Sequence, residues 1–130
     1  MKKLLLVLAA SCLVFVSAAF AGSAKYVDIS LADLKAAIVS GKVALIDVNG
    51  TDSYKTGHIP GAIDFEADQA KLASLLPADK SALVVAYCAN PRCGAYKEGA
   101  AAAKKLGYTN VKHFPLGIQG WKKAGETVAK

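Results

Sequence analysis

The sequence predicts an α/β fold, a parallel β-sheet with helices on both of its faces. Strand and helix patterns alternate along the chain, which is typical of such sheets. Two strand candidates, residues 43–48 and 81–87, are almost continuously apolar, as strands covered on both faces are. Ligands of these sheets bind beyond the carboxyl ends of the strands, so the residues that follow each strand are the first candidates for a site.

The first 21 residues have the layout of a secretory signal peptide. Lys2 and Lys3 precede an uncharged apolar run over residues 4–18, and residues 19–21 (Ala-Phe-Ala) supply a small-x-small cleavage site. The run is short for a spanning helix, which needs about 20 apolar residues. We therefore expect a periplasmic or secreted protein with no stable membrane span and a single domain over residues 22–130.

The sequence of the first half of this domain predicts two strands and one helix. Residues 26–29 form a short strand candidate, and Ser30 and Asp33 then form a capping pair that opens a helix. The apolar residues of this helix recur at helical spacing, at Leu31, Leu34, Ala37 and Ile38. Gly41 is a plausible stop, and the apolar strand over residues 43–48 follows.

The chain between the two apolar strands is predicted to be rich in turns. Gly57, Pro60 and Gly61 mark a turn-rich connection after the strand over residues 43–48. Residues 62–65 then predict a short strand. Residues 69–76 predict a short helix that ends before a proline.

The second half predicts two further strands and two helices. The strand over residues 81–87 precedes an alanine-rich helix over residues 94–106, which Gly107 stops. Residues 111–114 predict the last strand, and residues 118–123 predict a last short helix.

The charge of the chain does not indicate a nucleic-acid-binding protein. The formal charge of +6 falls to +4 without Lys2 and Lys3, and the remaining lysines are scattered rather than interleaved with aromatic residues. A mild attraction for small anions is the most that this charge supports. Without its signal peptide the chain has 109 residues, enough to bury a core without a staple. We expect a monomer, and no cofactor is indicated.

Cys88 is the candidate catalytic residue, because it directly follows an apolar strand and precedes a helix. A thiol is nucleophilic as the thiolate, and helix N-termini and nearby cations lower a cysteine pKa from about 8.5 to roughly 3.5–7.5. Arg92 and Lys97 supply cations, and the loop supplies backbone N–H groups that can face an anion. Arg92 is also a planar donor suited to oxyanions such as thiosulfate or phosphate. This pattern predicts a thiolate that reacts with an anionic substrate.

The residues alone leave other roles open for Cys88. It could be an inert buried thiol, or it could pair with Cys93 in a disulfide. So short a loop stabilises by only about 2 kcal/mol in the chain-entropy model, so a redox or sulfur-relay pair is as plausible as a staple. A metal site is not indicated, because C-x-x-x-x-C without paired histidines lacks the spacing of zinc ligands, and His58 and His113 stand apart.

Four segments in order resemble the rhodanese family, and the resemblance extends over about residues 27–128. The segment over residues 44–65 reads ALIDVNGTDSYKTGHIPGAIDF, with a strand ending in Asp-Val and a later Gly-His-Ile-Pro-Gly-Ala. The others read VVAYC, AAAAKKLGYTNVKHF and LGIQGWKKAG. The resemblance implies a rhodanese-like fold, with a five-stranded parallel sheet and helices on both faces.

The resemblance also implies sulfurtransferase chemistry. Cys88 takes the place of the nucleophile that accepts a sulfane sulfur as a persulfide and passes it to a thiol acceptor. The donor is a small anion such as thiosulfate or polysulfide, bound by residues of the following loop. These residues are Ala89, Asn90, Arg92 and Gly94. Asp47, His58 and Trp121 match positions interpreted as mainly structural.

The loop departs from the usual family pattern, C-x-x-G-x-R-S. Arg92 comes one place early, Pro91 contributes no N–H, and Cys93 is a second cysteine. Asn49 stands where an arginine commonly follows Asp-Val. Two functions are therefore predicted as alternatives: a sulfurtransferase in which Cys93 resolves the persulfide of Cys88, and a non-catalytic binding module with an oxidised pair. Phosphatase or arsenate-reductase chemistry is less well matched, because its loops have the form C-x-x-x-x-x-R.

Overall fold

The computed structural model describes residues 25–130. The signal peptide predicted over residues 1–21 lies outside the described residues. Within the described range, no helix is both long enough and apolar enough to cross a membrane.

Five parallel strands form one sheet, which confirms the predicted fold class. The strands are β1 (Val27–Asp28), β2 (Val43–Asp47), β3 (Ile63–Asp64), β4 (Leu83–Tyr87) and β5 (Asn110–Phe114). Their order in the sheet is β1-β5-β4-β2-β3. Strand β4 is central and pairs along its whole length with β2 on one side and β5 on the other. The residue that follows β4 is therefore held by a strand that is paired on both sides along its whole length.

In the described part of the chain, six helices cover the sheet. They are α1 (Leu31–Val39), α2 (Thr51–Thr56), α3 (Phe65–Asp68), α4 (Leu72–Leu75), α5 (Tyr96–Lys105) and α6 (Gly117–Lys123), with a 3-10 turn (Gln69–Lys71) ahead of α4.

The helices lie on both faces, because neighbouring residues of a strand point to opposite sides. Leu45, Val85 and Tyr87 pack on the face that carries α1 and α6. Val84 and Ala86 pack on the other face, against α3, α4 and α5. Both faces of β2 and β4 are thus covered, as their near-continuous apolar sequences predict.

Helix α1 begins where the sequence predicts. The Oγ of Ser30 accepts a hydrogen bond from the backbone N–H of Asp33 at 3.1 Å, which caps the first turn. Beyond Val39, Gly41 adopts a φ of +67°, a conformation that ends the helix at little cost for glycine. The predicted capping pair and the predicted stop are both present.

Helix α2 was not predicted. None of its residues is buried, so its sequence carries no apolar periodicity, and residues 51–56 were interpreted as part of a turn-rich connection. The helix predicted over residues 69–76 was also wrong in form, because a 3-10 turn precedes the single turn of α4. The strand predicted over residues 62–65 is only two residues long.

Two boundaries near the candidate site also differ from the prediction. The strand predicted from residue 81 starts at Leu83, because Ser81 donates its N–H and its Oγ–H to Asp79 Oδ1 in a turn, at 2.8 and 2.7 Å. The helix predicted from Gly94 starts at Tyr96. The carbonyl of Gly94 instead accepts from Lys97 at 3.2 Å, three residues on, as in a tighter turn.

Candidate functional site

Cys88 lies at the carboxyl end of β4, at the start of the eight-residue loop over residues 88–95. The residue is buried, with 3% of its surface exposed. Its carbonyl accepts a hydrogen bond from the N–H of Ile118 at 3.0 Å, and the carbonyl of Ala89 accepts from Gln119 at 2.9 Å. The first turn of α6 therefore fixes the first two residues of the loop.

Gly117 allows this close approach of α6 to the loop. Its φ is +61°, and a Cβ atom at this position would lie 2.5 Å from the carbonyl oxygen of Cys88 and 2.6 Å from the carbonyl carbon of Ala89. A side chain would meet both a strained backbone conformation and backbone atoms that cannot move aside. The prediction missed Gly117, although a glycine opening the segment GIQGWKK was visible in the sequence.

A disulfide joins Cys88 to Cys93, with 6.0 Å between their Cα atoms. Asn90 shapes the turn that brings the two cysteines together. Its carbonyl accepts from the N–H of Cys93 at 3.1 Å, and its side-chain Oδ1 accepts from the N–H of Arg92 at 2.9 Å. The Asn90 side chain is thus engaged within the loop itself.

The loop presents several groups suited to an anion. Within residues 25–130, the backbone N–H groups of Ala89, Asn90, Gly94 and Ala95 have no hydrogen-bond acceptor. Arg92 is exposed and forms no ion pair with the described part of the chain. It borders an open depression of about 380 Å³, which is lined by Asn90, Pro91, Arg92 and Gln119. The structure thus brings Arg92 and Asn90 to one depression, whereas Ala89 and Gly94 do not line it.

A buried hydrogen-bond network supports the strand ends beneath Cys88. The Tyr87 hydroxyl donates to Asp47 Oδ2 at 2.6 Å and accepts from the N–H of Ile59 at 3.0 Å. Asn49 donates to Asp47 Oδ1 through its backbone N–H at 2.8 Å and through its Nδ2 at 2.7 Å. Burial, reinforced by the charge of Asp47, raises the pKa of Tyr87 far above its usual range, so Tyr87 remains a neutral donor. This network connects the ends of β2 and β4.

His58 and Trp121 have their polar atoms engaged by the fold. The ring of His58 stacks on Tyr54, with centroids 3.6 Å apart, and its Nδ1 lies 2.9 Å from the Tyr54 carbonyl oxygen. Trp121 is buried and donates its Nε1–H to the Thr127 carbonyl at 2.8 Å. These contacts give both residues partners within the fold, as expected for structural positions.

His113 forms a second cluster, at the other end of the loop. Its ring stacks on Tyr96, the first residue of α5, with centroids 3.4 Å apart and planes 10° apart. Its Nδ1 lies 3.1 Å from Asp28 Oδ1. Burial lowers the pKa of His113, and the hydrogen bond and charge of Asp28 act against this effect. The stack connects the end of the loop to β5, and no pattern in the sequence indicates it.

Comparisons with known proteins agree with this fold. A family model described as the rhodanese-like domain matches residues 30–124. An HTH-type transcriptional regulator of Mycobacterium tuberculosis is 34% identical over 87 residues, which cover 66% of this chain and 37% of the regulator. The chain therefore spans little more than a third of the length of that relative.

Two solved structures share the fold. A protein of Bacillus halodurans is 26% identical with a TM-score of 0.62, and the match covers 80% of this chain and 77% of that one. A human single-domain sulfurtransferase is 24% identical with a TM-score of 0.56, and the match covers 74% and 95% of the two chains. The family model spans most of the chain, and the solved structures share its fold. The protein therefore belongs to the rhodanese-like domain family.

Proposed function

We propose that the protein is an exported sulfurtransferase or sulfane-sulfur carrier that holds the transferred sulfur as a persulfide on Cys88. The observation that carries the proposal is the position of Cys88. It directly follows the central strand and starts a loop in which, within residues 25–130, several backbone N–H groups have no acceptor and Arg92 forms no ion pair. A human single-domain sulfurtransferase has the same fold, which supports this chemistry for the scaffold.

The reaction starts from the reduced pair. The Cys88 thiolate attacks the outer sulfur of thiosulfate, the sulfur–sulfur bond of the donor breaks, and sulfite leaves with the bonding electrons. An acceptor thiolate then attacks the outer sulfur of the Cys88 persulfide, takes that sulfur and restores the Cys88 thiolate. Arg92 and the free N–H groups of the loop are suited to the anionic oxygens of the donor.

Cys93 offers a second way to discharge the persulfide. Its thiolate attacks the Sγ of Cys88, hydrosulfide leaves, and the Cys88–Cys93 disulfide remains. The two cysteines are oxidised by two electrons, and the sulfane sulfur is reduced to sulfide. The disulfide of the structure is the product state of this step.

The proposal of export to the periplasm or to the exterior rests on the layout of residues 1–21. A disulfide supports it, because disulfides persist in oxidising compartments. Cleavage after Ala21 in cells, read as the N-terminal sequence of the protein from a periplasmic or culture fraction, is the expected result. A chain that keeps residues 1–21 in the cytosol would contradict the proposal.

A non-catalytic binding module is the second candidate. The specific observation in its favour is that the disulfide occupies the sulfur of Cys88, so the oxidised chain has no free nucleophile there. A match to part of a transcriptional regulator also shows that domains of this kind occur within larger proteins.

Intact-protein mass spectrometry separates the two candidates. The reduced protein is exposed to thiosulfate or polysulfide, together with the matched variants Cys88→Ser and Cys93→Ser. We expect the Cys93→Ser variant to gain one sulfur atom and the Cys88→Ser variant to gain none. Loss of two hydrogens in the wild type, with no sulfur retained in either variant, would favour the binding module.

A further inference from the structure

We propose that the oxidised protein is a thiol–disulfide exchange protein in which an incoming anionic thiol attacks Cys93 and Cys88 is the leaving thiolate. This activity needs only the disulfide, so it does not depend on a persulfide at Cys88. Its partner is a dithiol that carries negative charge near the attacking sulfur.

The exposure of the two cysteines differs, and this difference sets the order of events. Cys88 is 3% exposed, whereas Cys93 is only partly buried and lies between the exposed residues Arg92 and Gly94. Thiol–disulfide exchange requires direct access of the attacking thiolate to one sulfur atom. Solvent-borne thiols therefore reach the disulfide from the side of Cys93.

The anchoring of the two cysteines differs in the same sense. The segment that starts at Cys88 is fixed by α6, through hydrogen bonds that the carbonyls of Cys88 and Ala89 accept. Cys93 is held by a turn within the loop, in which two oxygen atoms of Asn90 accept the hydrogen bonds. After the disulfide opens, the outer turn can carry Cys93 away while Cys88 stays at the end of β4.

The charge next to Cys93 selects the thiol. Arg92 precedes Cys93 directly, is exposed, and forms no ion pair within the described residues. The guanidinium of Arg92 also borders an open depression, lined by Asn90, Pro91, Arg92 and Gln119, where an anionic group can lie beside the turn that carries Cys93. An unpaired guanidinium attracts anions and repels cations, and salt weakens both effects.

The exchange balances as two displacements. The thiolate of the dithiol attacks Cys93 Sγ, the Cys88–Cys93 bond breaks, and the electron pair goes to Cys88 Sγ as a thiolate. The second thiolate of the partner then attacks the partner's own sulfur in the mixed disulfide and releases the Cys93 thiolate. The partner dithiol is oxidised to a disulfide by two electrons, and the cysteine pair is reduced by the same two electrons.

The sequence allows the attacked sulfur to be identified without a mutation. Trypsin cleaves after Lys80, Arg92 and Lys97, which separates Cys88 (residues 81–92) from Cys93 (residues 93–97). The oxidised wild-type protein is mixed briefly with 2-mercaptoethanesulfonate and quenched in denaturant with N-ethylmaleimide. We expect the mercaptoethanesulfonate adduct on peptide 93–97 and the maleimide on peptide 81–92. The opposite distribution, an equal distribution at the earliest times, or no opening of the disulfide would each overturn the proposal.

A pair of small thiols tests the charge selection. The ratio of exchange rates for anionic 2-mercaptoethanesulfonate and cationic cysteamine is measured for wild type, Arg92→Gln and the control Lys42→Gln. Lys42 is exposed and precedes β2, so it lies at the amino ends of the parallel strands, whereas Cys88 lies at their carboxyl ends. We expect the ratio to fall about two- to fivefold in Arg92→Gln, as for the loss of one exposed charge, and to stay unchanged in the control. An equal ratio in wild type and Arg92→Gln would overturn the charge selection.

These results are distinguishable from those for the proposed function. Persulfide formation is measured on reduced protein with a sulfur donor, whereas exchange is measured on oxidised protein with a thiol and no donor. A protein that exchanges disulfides through Cys93 but forms no persulfide would support this inference and contradict the sulfurtransferase.

Discussion

The two ends of the active-site loop are held by contacts of different kinds. At its start, backbone hydrogen bonds from α6 fix Cys88, and a buried network with Tyr87 at its centre holds the strand ends beneath it. At its end, the loop meets an aromatic stack between Tyr96 and His113, whose outer partner, Asp28, is solvent-exposed. At the start, the central group is the Tyr87 hydroxyl, whose pKa is raised by burial so that it stays a neutral donor. The end includes a histidine, whose charge can change near neutral pH.

The difference teaches how a nucleophile can be kept fixed while the loop around it remains adaptable. Backbone hydrogen bonds hold Cys88 at the end of β4, next to the neutral hydroxyl of the buried Tyr87. The titratable His113 contacts Tyr96, which follows the loop, and so lies away from Cys88.

Substitution of Gly117 by alanine should have the largest effect on stability, because it disturbs the contact between α6 and the start of the loop. The new Cβ would overlap the backbone of Cys88 and Ala89, and the residue would also adopt an unfavourable positive φ. We expect a loss of about 2–4 kcal/mol in the free energy of unfolding, measured in urea.

Gly41→Ala is the matched control for this substitution. Gly41 has a φ of +67°, close to the +61° of Gly117, but no atom lies within 4 Å of its would-be Cβ. We expect this control to lose only about 1–2 kcal/mol. Equal losses in the two variants would show that the contact between Gly117 and the loop does not contribute to the free energy of unfolding.

Tyr87→Phe should have the next largest effect. The variant removes the hydroxyl that donates to Asp47 and leaves a buried carboxylate with one fewer donor. A buried acceptor that loses its partner costs about 1–3 kcal/mol. Urea unfolding measures the loss. Tyr54→Phe, which removes a hydrogen bond to the Ala62 carbonyl from a partly buried tyrosine, should cost less. A larger loss in Tyr54→Phe would contradict the importance given to the network.

The aromatic stack at the end of the loop should give the stability of the protein a pH dependence through His113. The pKa of His113 is lowered in the folded protein, whereas in the unfolded chain it is about 6.5. As the pH falls below about 6.5, the unfolded chain binds a proton that the folded protein does not, so stability decreases towards the lowered pKa.

His113→Phe tests this dependence, since phenylalanine keeps a ring for the stack with Tyr96 but cannot bind a proton. We expect the slope of unfolding free energy against pH to be smaller in the variant between about pH 5 and 6.5, above the usual range of carboxylates. The measurement is a series of urea titrations at fixed pH. Identical slopes in the two proteins would show that His113 does not titrate differently on folding.

Asn90→Ala should have the smallest effect, on the outer turn. The side chain of Asn90 accepts from the N–H of Arg92 and so favours the turn that brings Cys93 to Cys88. Loss of one such bond is worth about 0.5–1.5 kcal/mol, and the equilibrium with glutathione should shift towards the dithiol by about two- to tenfold. Asn90→Asp keeps the acceptor oxygen and should stay close to wild type. A shift in Asn90→Asp as large as that in Asn90→Ala would contradict the role of this oxygen.

Local features of the fold were predictable from the sequence. The capping pair of Ser30 and Asp33 and the apolar runs of β2 and β4 act within short segments, and their patterns are visible in the letters alone. The position of Cys88 at the end of a strand follows from the same patterns. Helix α2 could not be found in this way, because no side chain of it is buried and it has no periodicity.

The contacts that position the site were not predictable, because they join distant parts of the chain. Tyr87 and Asp47 are 40 residues apart, and His113 and Asp28 are 85 residues apart. Pattern arguments describe which face a residue occupies and give no information on which distant partner it meets there. The roles of Cys88 and Cys93 in chemistry remain predictions that the experiments described above decide.

The anchoring of Cys88 and Ala89 by α6 has a consequence for how the loop can change length in evolution or by design. Insertions and deletions between Asn90 and Cys93 alter only the outer turn, whose hydrogen bonds are internal to the loop. Insertions at Cys88 or Ala89 would break the register with Ile118 and Gln119. The length of the outer turn can therefore set the space between the loop and its substrate, and hence the size of the substrate that fits. The sulfur of Cys88 stays in place.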